Sequence, residues 1–229
     1  MSTDGILESA EEVDQRSLLA DLFHALNQPL SALRCSMELA LLVPRTQEEY
    51  CNSLQTGLEK VEQATLLVHG IRELLEAKES SDSLVAVSLQ DGLREATDHF
   101  LPVANDAGIA INSHCEEKGL VNFDPECLRR ALFYIFDLSF ALVSGKQIEI
   151  RVREGPARIF LDFIFDAPSD YAAKIGSAGF TSKEASWQLH LKWIIAQQLF
   201  RAQQGDLVLT TDGHQVQIQA SIPRQKSTN

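Results

Sequence analysis

The sequence predicts an α+β protein: an N-terminal antiparallel helical hairpin that forms a dimeric four-helix bundle, followed by an α/β-sandwich domain. Three observations predict it. Apolar residues recur at threes and fours through two long segments separated by Pro44. A polar joint, Lys78-Glu79-Ser80-Ser81-Asp82-Ser83, follows them. Beyond the joint, short apolar runs alternate with helical patterns and turn signals. The domains are read as a flexible N-terminus over 1–12, the hairpin over 13–80 and the sandwich domain over 84–224.

The first helix is expected from about Val13 to Val43, with Leu19, Leu22, Leu26, Leu30, Leu33, Met37 and Leu41 as one buried stripe. Pro29 should remove a backbone hydrogen bond and bend it. Pro44 and Arg45-Thr46 make the break. The second helix is expected from about Gln47 to Lys78, with its stripe at Leu54, Leu58, Val61, Thr65, Val68, Ile71 and Leu75. A lone pair of such helices leaves much of both stripes wet, so pairing with a second copy is expected.

In the second half, Ser88 caps a helix that Gly108 ends. Ile109–Asn112 and Leu120–Phe123 read as short strands. Asp124-Pro125-Glu126 opens a helix to about Val143, with a capping aspartate and a proline in its first turn. Gln147–Arg153 and Arg158–Phe165 form a hairpin around Gly-Pro, and a loop covers Ala167–Thr181. A helix from about Lys183 to Gln203 ends at Gly205. Two last strands, Leu207–Thr210 and Gln215–Ile222, meet at Asp212-Gly213, and the tail from Arg224 is loose.

Composition excludes several classes. The chain has 229 residues and 45% hydrophobic content, enough for a core. Its net charge of −12 repels phosphate backbones and anionic lipid, so nucleic-acid binding is disfavoured. No apolar run reaches the ~18 residues of a spanning helix, and Met1–Asp14 lacks a signal-peptide pattern, so a cytoplasmic protein without membrane insertion is expected. Cys35, Cys51, Cys115 and Cys127 are scattered and read as free thiols, with no metal site.

His24 carries the most chemistry. It lies roughly 200° around the helix from Leu22 at about 100° per residue, and so faces solvent. Gln28, Ser31 and Cys35 share its face. A lone surface histidine is ordinarily inert, but here the context decides. The run His24-Ala25-Leu26-Asn27-Gln28-Pro29-Leu30 resembles the phosphoacceptor box of two-component sensor histidine kinases, His-Glu-x-Asn/Arg-x-Pro-Leu. It matches at His24, Asn27, Pro29 and Leu30 and departs at Ala25, where the family has an acid.

The second half resembles the ATP-binding domain of the same kinases, the Bergerat fold. Asp124-Pro125-Glu126-Cys127-Leu128-Arg129-Arg130-Ala131-Leu132 resembles the start of the nucleotide-binding helix. Phe165-Asp166 stands at the Asp-x-Gly strand end, and Gly179-Phe180-Thr181-Ser182-Lys183-Glu184 resembles the ATP lid. Leu189-His190-Leu191-Lys192-Trp193-Ile194-Ile195 matches the Leu-Gly-Leu-x-Ile-Val helix, and Gln204-Gly205-Asp206-Leu207 the Gly-Gly-x-Ile ending. Yet the nucleotide ligands are mostly gone. Leu138, beside Asp137, stands where the resemblance puts the asparagine that holds Mg²⁺, and leucine offers no oxygen. Ala167-Pro168-Ser169 replaces the glycine turn, and Ser186-Trp187-Gln188 the phosphate cradle. Asp166 remains for an adenine amino group and Lys183 for a phosphate.

The resemblance therefore implies a histidine phosphotransferase. His24 would take phosphoryl from one response-regulator receiver domain and give it to another, with Asn27, Gln28 and Ser31 at the contact. No cofactor is expected beyond Mg²⁺ from the receiver. The alternatives are a degenerate kinase that dephosphorylates regulators through Gln28, or a non-catalytic scaffold. An ATP-dependent autokinase lacks its ligands. The regulators are not named by the sequence, and any input is expected from a partner.

Overall fold

The structure is a computed structural model that describes residues 4–79, 84–114, 120–168 and 186–225. It divides into two compact units, Met1–Arg72 and Glu73–Asn229.

The first unit is the hairpin. Helix α1 runs Asp4–Leu42 and continues through Pro29; α2 runs Gln47–Glu79. Thr46 starts α2 with a reciprocal cap: the Glu49 amide donates to Thr46 Oγ1 at 3.3 Å, and the Thr46 amide donates to Glu49 Oε2 at 2.7 Å. That bond from the Thr46 backbone is the main reason the Glu49 carboxyl is held below its ordinary range. Across the hairpin, the Tyr50 hydroxyl donates to the Ala40 carbonyl at 3.4 Å. A Cβ on Gly57 would sit 3.2 Å from Leu33 Cδ1, so the helices approach closely there.

The seam is narrower than the expected stripes. Leu22, Ala25, Ala64, Leu67 and Ile71 are buried. Leu30, Met37 and Leu41 are exposed, Leu41 to 88%, and so are Leu54 (66%), Leu58 (62%), Val61 and Val68. Each helix has one neighbour, so only residues on the facing side lose their water. Much of the apolar periodicity belongs to a second side that this chain alone does not cover.

The second unit begins with the end of α2. After it come β1 (Val85–Ser88), α3 (Leu89–Ala107), β2 (Ala110–His114) and β3 (Leu120–Phe123). Then follow α4 (Pro125–Leu142), β4 (Gln147–Glu154), β5 (Arg158–Asp166), α5 (Ser186–Ala202), β6 (Asp206–Asp212) and β7 (Gln215–Pro223). β1 was not expected. It pairs antiparallel with β3 in the register Val85↔Phe123 to Ser88↔Leu120. The other strands form one sheet in the order β2-β4-β5-β7-β6, antiparallel except for β2 beside β4.

The caps follow local chemistry. Ser88 Oγ accepts from the Asp91 amide at 3.1 Å, and Asp124 Oδ1 from the Cys127 amide at 2.8 Å. Gly108 takes the left-handed conformation at φ 66° and Gly213 at φ 61°. At the end of α5 the expected glycine is displaced by one residue. Gln204, not Gly205, holds the left-handed φ of 59°. Gly205 is needed for another reason: a Cβ there would come within 2.9 Å of the Ser221 carbonyl oxygen and 3.0 Å of that of Phe200.

Strand alternation builds the core. One sheet face carries Ile148, Ile150, Leu161, Phe163, Phe165, Ile218 and Ala220, all buried, with Ile150↔Phe163↔Ile218 as a row. Phe136 of α4 meets Phe163 edge-on at 5.0 Å between centroids and stacks on Phe100 of α3 at 5.4 Å. The other face is polar, yet Asp162 at its centre is only 2% exposed. Arg153 Nε donates to Asp162 Oδ2 at 2.7 Å, and the Gln217 and Gln219 amides donate to Oδ1 at 2.9 and 2.7 Å. Burial by itself would raise this carboxyl, but the three donors and the Arg153 charge outweigh it and hold it below 3.8.

Two outcomes follow from these positions. Gln204→Gly removes left-handed strain from a side chain and raises stability by about 1 kcal/mol in denaturant melts. Asp162→Asn costs about 2 kcal/mol at neutral pH, the scale of hydrogen bonds to a charged group. Because the folded carboxyl lies low, its stabilisation is complete above the unfolded value of 3.8 and is lost as pH falls through the lower folded one. Denaturant midpoints of the two proteins should therefore converge on acidification below about pH 4.

Candidate functional site

The α1 residues singled out by sequence lie on one solvent-facing strip. Leu22 and Ala25 point into the seam, which turns His24 outward. His24, Asn27, Gln28 and Ser31 are all exposed. Side chains on a helix lean toward its N-terminus, so Gln28 leans over His24, and His24 over the turn of Ala20 and Asp21. The exposed Asp21 was not singled out by motif reading, although it is the one acidic residue between Ser17 and Ser31. An imidazole held this way offers a ring nitrogen to a group arriving from solvent.

Of the four residues assigned to a remnant nucleotide pocket, Asp137, Leu138 and Asp166 are described, and each meets different surroundings. Leu138 is 0% exposed and packs within the buried side of α4, with Ile135, Ser139 and Leu142. Asp137, one residue earlier, points to the other side and pairs with Lys192 of α5 at 2.5 Å. Asp166 is exposed at the end of β5, where its backbone oxygen accepts from the Ser144 amide at 2.8 Å. Lys183 lies outside the described residues, as do Ser169, the lid segment Gly179–Glu184 and Cys115. Among the described residues no cluster of three or more histidine, cysteine or acidic side chains could hold a metal. Cys35 and Cys51 are exposed and Cys127 is buried, and none of these three forms a disulfide.

A cavity of about 330 Å³ opens on the outward side of α4, between Phe100, Phe133, Tyr134, Asp137 and Glu73. The Tyr134 hydroxyl donates to Glu73 Oε2 at 2.7 Å, and Arg130 pairs with Glu76 at 3.2 Å. Burial first, then the Glu73 carboxylate that accepts its proton, pushes the Tyr134 phenol far up, so it stays a neutral donor. Lys192 meets Asp137, and Tyr134 meets Glu73, only because separate helices pack; neither pair had a local signal.

An asparagine at position 138, where the resemblance puts a metal ligand, should not build a site. Leu138→Asn places an amide among apolar neighbours and lowers stability by about 2–4 kcal/mol, read from denaturant melts.

No protein-family model matches the chain. The sensor histidine kinase CusS of Escherichia coli K12 is 28% identical over 161 residues, 66% of this chain and 32% of that protein. The match thus spans about a third of the length of such curated relatives. Among solved structures, the histidine kinase AdeS of Acinetobacter baumannii aligns with a TM-score of 0.58 at 12% identity, covering 89% of this chain and 98% of that one. Full-length ShkA, solved in complex with AMPPNP, aligns at 0.59 and 17% identity over 94% of this chain and 47% of its own. The catalytic domain of ThkA aligns at 0.52 and 17% identity over 62% of this chain. Helical hairpin first and ATPase-like α/β domain second, the chain is similar in sequence and in fold to the core of two-component sensor histidine kinases.

Proposed function

We propose that the protein is a histidine phosphotransferase of two-component signalling, carrying phosphoryl on His24 between receiver domains of response regulators without binding ATP. One observation carries the reading: His24 stands free on the outer strip of α1, while the position expected to ligate Mg²⁺ is a leucine sealed in the core. Neutral imidazole attacks the phosphorus of an aspartyl phosphate in line, and the receiver's carboxylate leaves. The donor is already activated, so no ATP-side machinery is required. The receiver brings the Mg²⁺ that steadies the phosphoryl oxygens. Asn27, Gln28 and Ser31 line the contact and offer amide and hydroxyl donors to the group in flight. The ATPase-like domain serves as a second docking surface for the regulator.

The protein acts as a homodimer. The exposed apolar residues Leu30, Met37, Leu54, Leu58, Val61 and Val68 support pairing of two hairpins into a four-helix bundle. No helix among the described residues is long and apolar enough to cross a membrane, in keeping with partners met in the cytoplasm.

The test uses a receiver domain charged with labelled phosphoryl. Acid-labile label should appear on the protein and vanish in His24→Ala, and Mg²⁺ with labelled ATP should leave the protein unlabelled. Free phosphate that persists in His24→Ala but falls in Gln28→Ala would replace transfer by hydrolysis. Binding with neither would leave a scaffold.

A further inference from the structure

An imidazole that accepts phosphoryl through one nitrogen works best when the other is held by an acceptor, which fixes the tautomer and steadies the cation formed on attack. The position directly after His24 cannot supply that acceptor. Ala25 is 2% exposed and turned into the hairpin seam, about 100° around the helix from His24. From Ser17 to Ser31 the chain holds a single carboxylate, Asp21, three residues before His24 and exposed like it. Residues three apart on a helix are neighbours, with Cβ atoms about 5–6 Å apart. The lean of helical side chains toward the N-terminus lets the His24 ring turn toward Asp21. Ala20, the other residue beneath the ring, is too small to block that approach.

The partner helix brings other charges to this level. The contacts of Leu33 with Gly57 and of Ala40 with Tyr50 set the hairpin register, and extending it places Leu66 opposite His24. The ionisable groups of α2 nearest that level are Glu62 and His69, both exposed.

We propose that Asp21 is the positioning residue of His24. Its carboxylate accepts the Nδ1 proton and leaves Nε2 outward as the nucleophile. Aspartate has one methylene, so it reaches the ring nitrogen nearer the backbone, which is Nδ1. On attack the Nε2 lone pair forms the new N–P bond and the P–O bond to the donor carboxylate breaks, its electron pair leaving with that carboxylate. The Nδ1 proton stays shared with Asp21, and the positive charge of the phosphoimidazolium faces the negative one of Asp21. The proposal rests on the phosphotransfer reading, with Asp21 acting through His24 and not on the phosphoryl group.

Two measurements on the full chain test it, and neither needs the natural partner. The first is ¹⁵N NMR of the His24 ring. The Nδ1–H tautomer should dominate in the natural sequence and in Asp21→Glu, and give way to Nε2–H in Asp21→Asn. The second is chemical phosphorylation by phosphoramidate, in which the N–P bond forms at His24 and ammonia leaves. Asp21→Asn should slow labelling by roughly tenfold to a hundredfold, the scale of managed proton positions, with recovery in Asp21→Glu. Glu62→Gln should change neither reading. Unchanged tautomer and rate in Asp21→Asn, or an equal effect in Glu62→Gln, would overturn the proposal. An Asp21-dependent ring in a protein that takes nothing from a charged receiver would instead overturn the transfer reading and leave this one standing.

Discussion

Two helices packed side by side have only one seam, and that limit governs the N-terminal unit. Leu22, Ala25, Ala64, Leu67 and Ile71 are buried in the seam, Leu33 meets Gly57 farther along it, and the exposed positions face away. His24 is free because its neighbours on the buried side, Leu22 and Ala25, leave it no inward direction. The same limit strands Leu54, Leu58, Val61 and Val68 in water, a feature that makes sense if a second copy covers them. An exposed histidine and an uncovered apolar side are two consequences of one geometry.

In the second unit the governing element is α4. It is amphipathic, and a step of one residue decides which environment a side chain meets. Leu138 falls inward with Ile135 and Leu142, whereas Asp137 falls outward to Lys192. Phe136, between Phe100 and Phe163, ties α3, α4 and β5 together. An oxygen ligand at position 138 would have to be buried unpaired in that packing. Leucine at 138 is thus part of the core that holds α4 against the sheet.

The open face of the sheet shows the opposite solution. Among the described residues, Arg153, Gln217 and Gln219 close over Asp162 and use both of its oxygens, which keeps it buried. A charge at the centre of a sheet is tolerable only with its partners in register, and the pairings Asp162↔Gln219 and Ile164↔Gln217 supply that register. No periodicity in the separate strands announces the cluster.

The local chemistry was legible residue by residue. Ser88, Asp124, Gly108 and Gly213 act where their side chains, or lack of them, require, because caps and tight turns are settled within four residues. Periodicity also established that two long helices exist and that His24 lies off the Leu22 side. It could not say which of several apolar stripes becomes the seam, since that depends on the neighbour. For the same reason β1 escaped notice: four residues become a strand only through pairing with β3, beyond α3 and β2 in the chain. Gln204 in place of a glycine, the Asp137–Lys192 pair and the Tyr134–Glu73 bond were likewise settled by packing between distant segments. Element identity is a short-range property of this chain. Which face is buried, and which charge meets which, was decided by the tertiary structure, because burial and pairing are contacts between parts that the sequence holds apart.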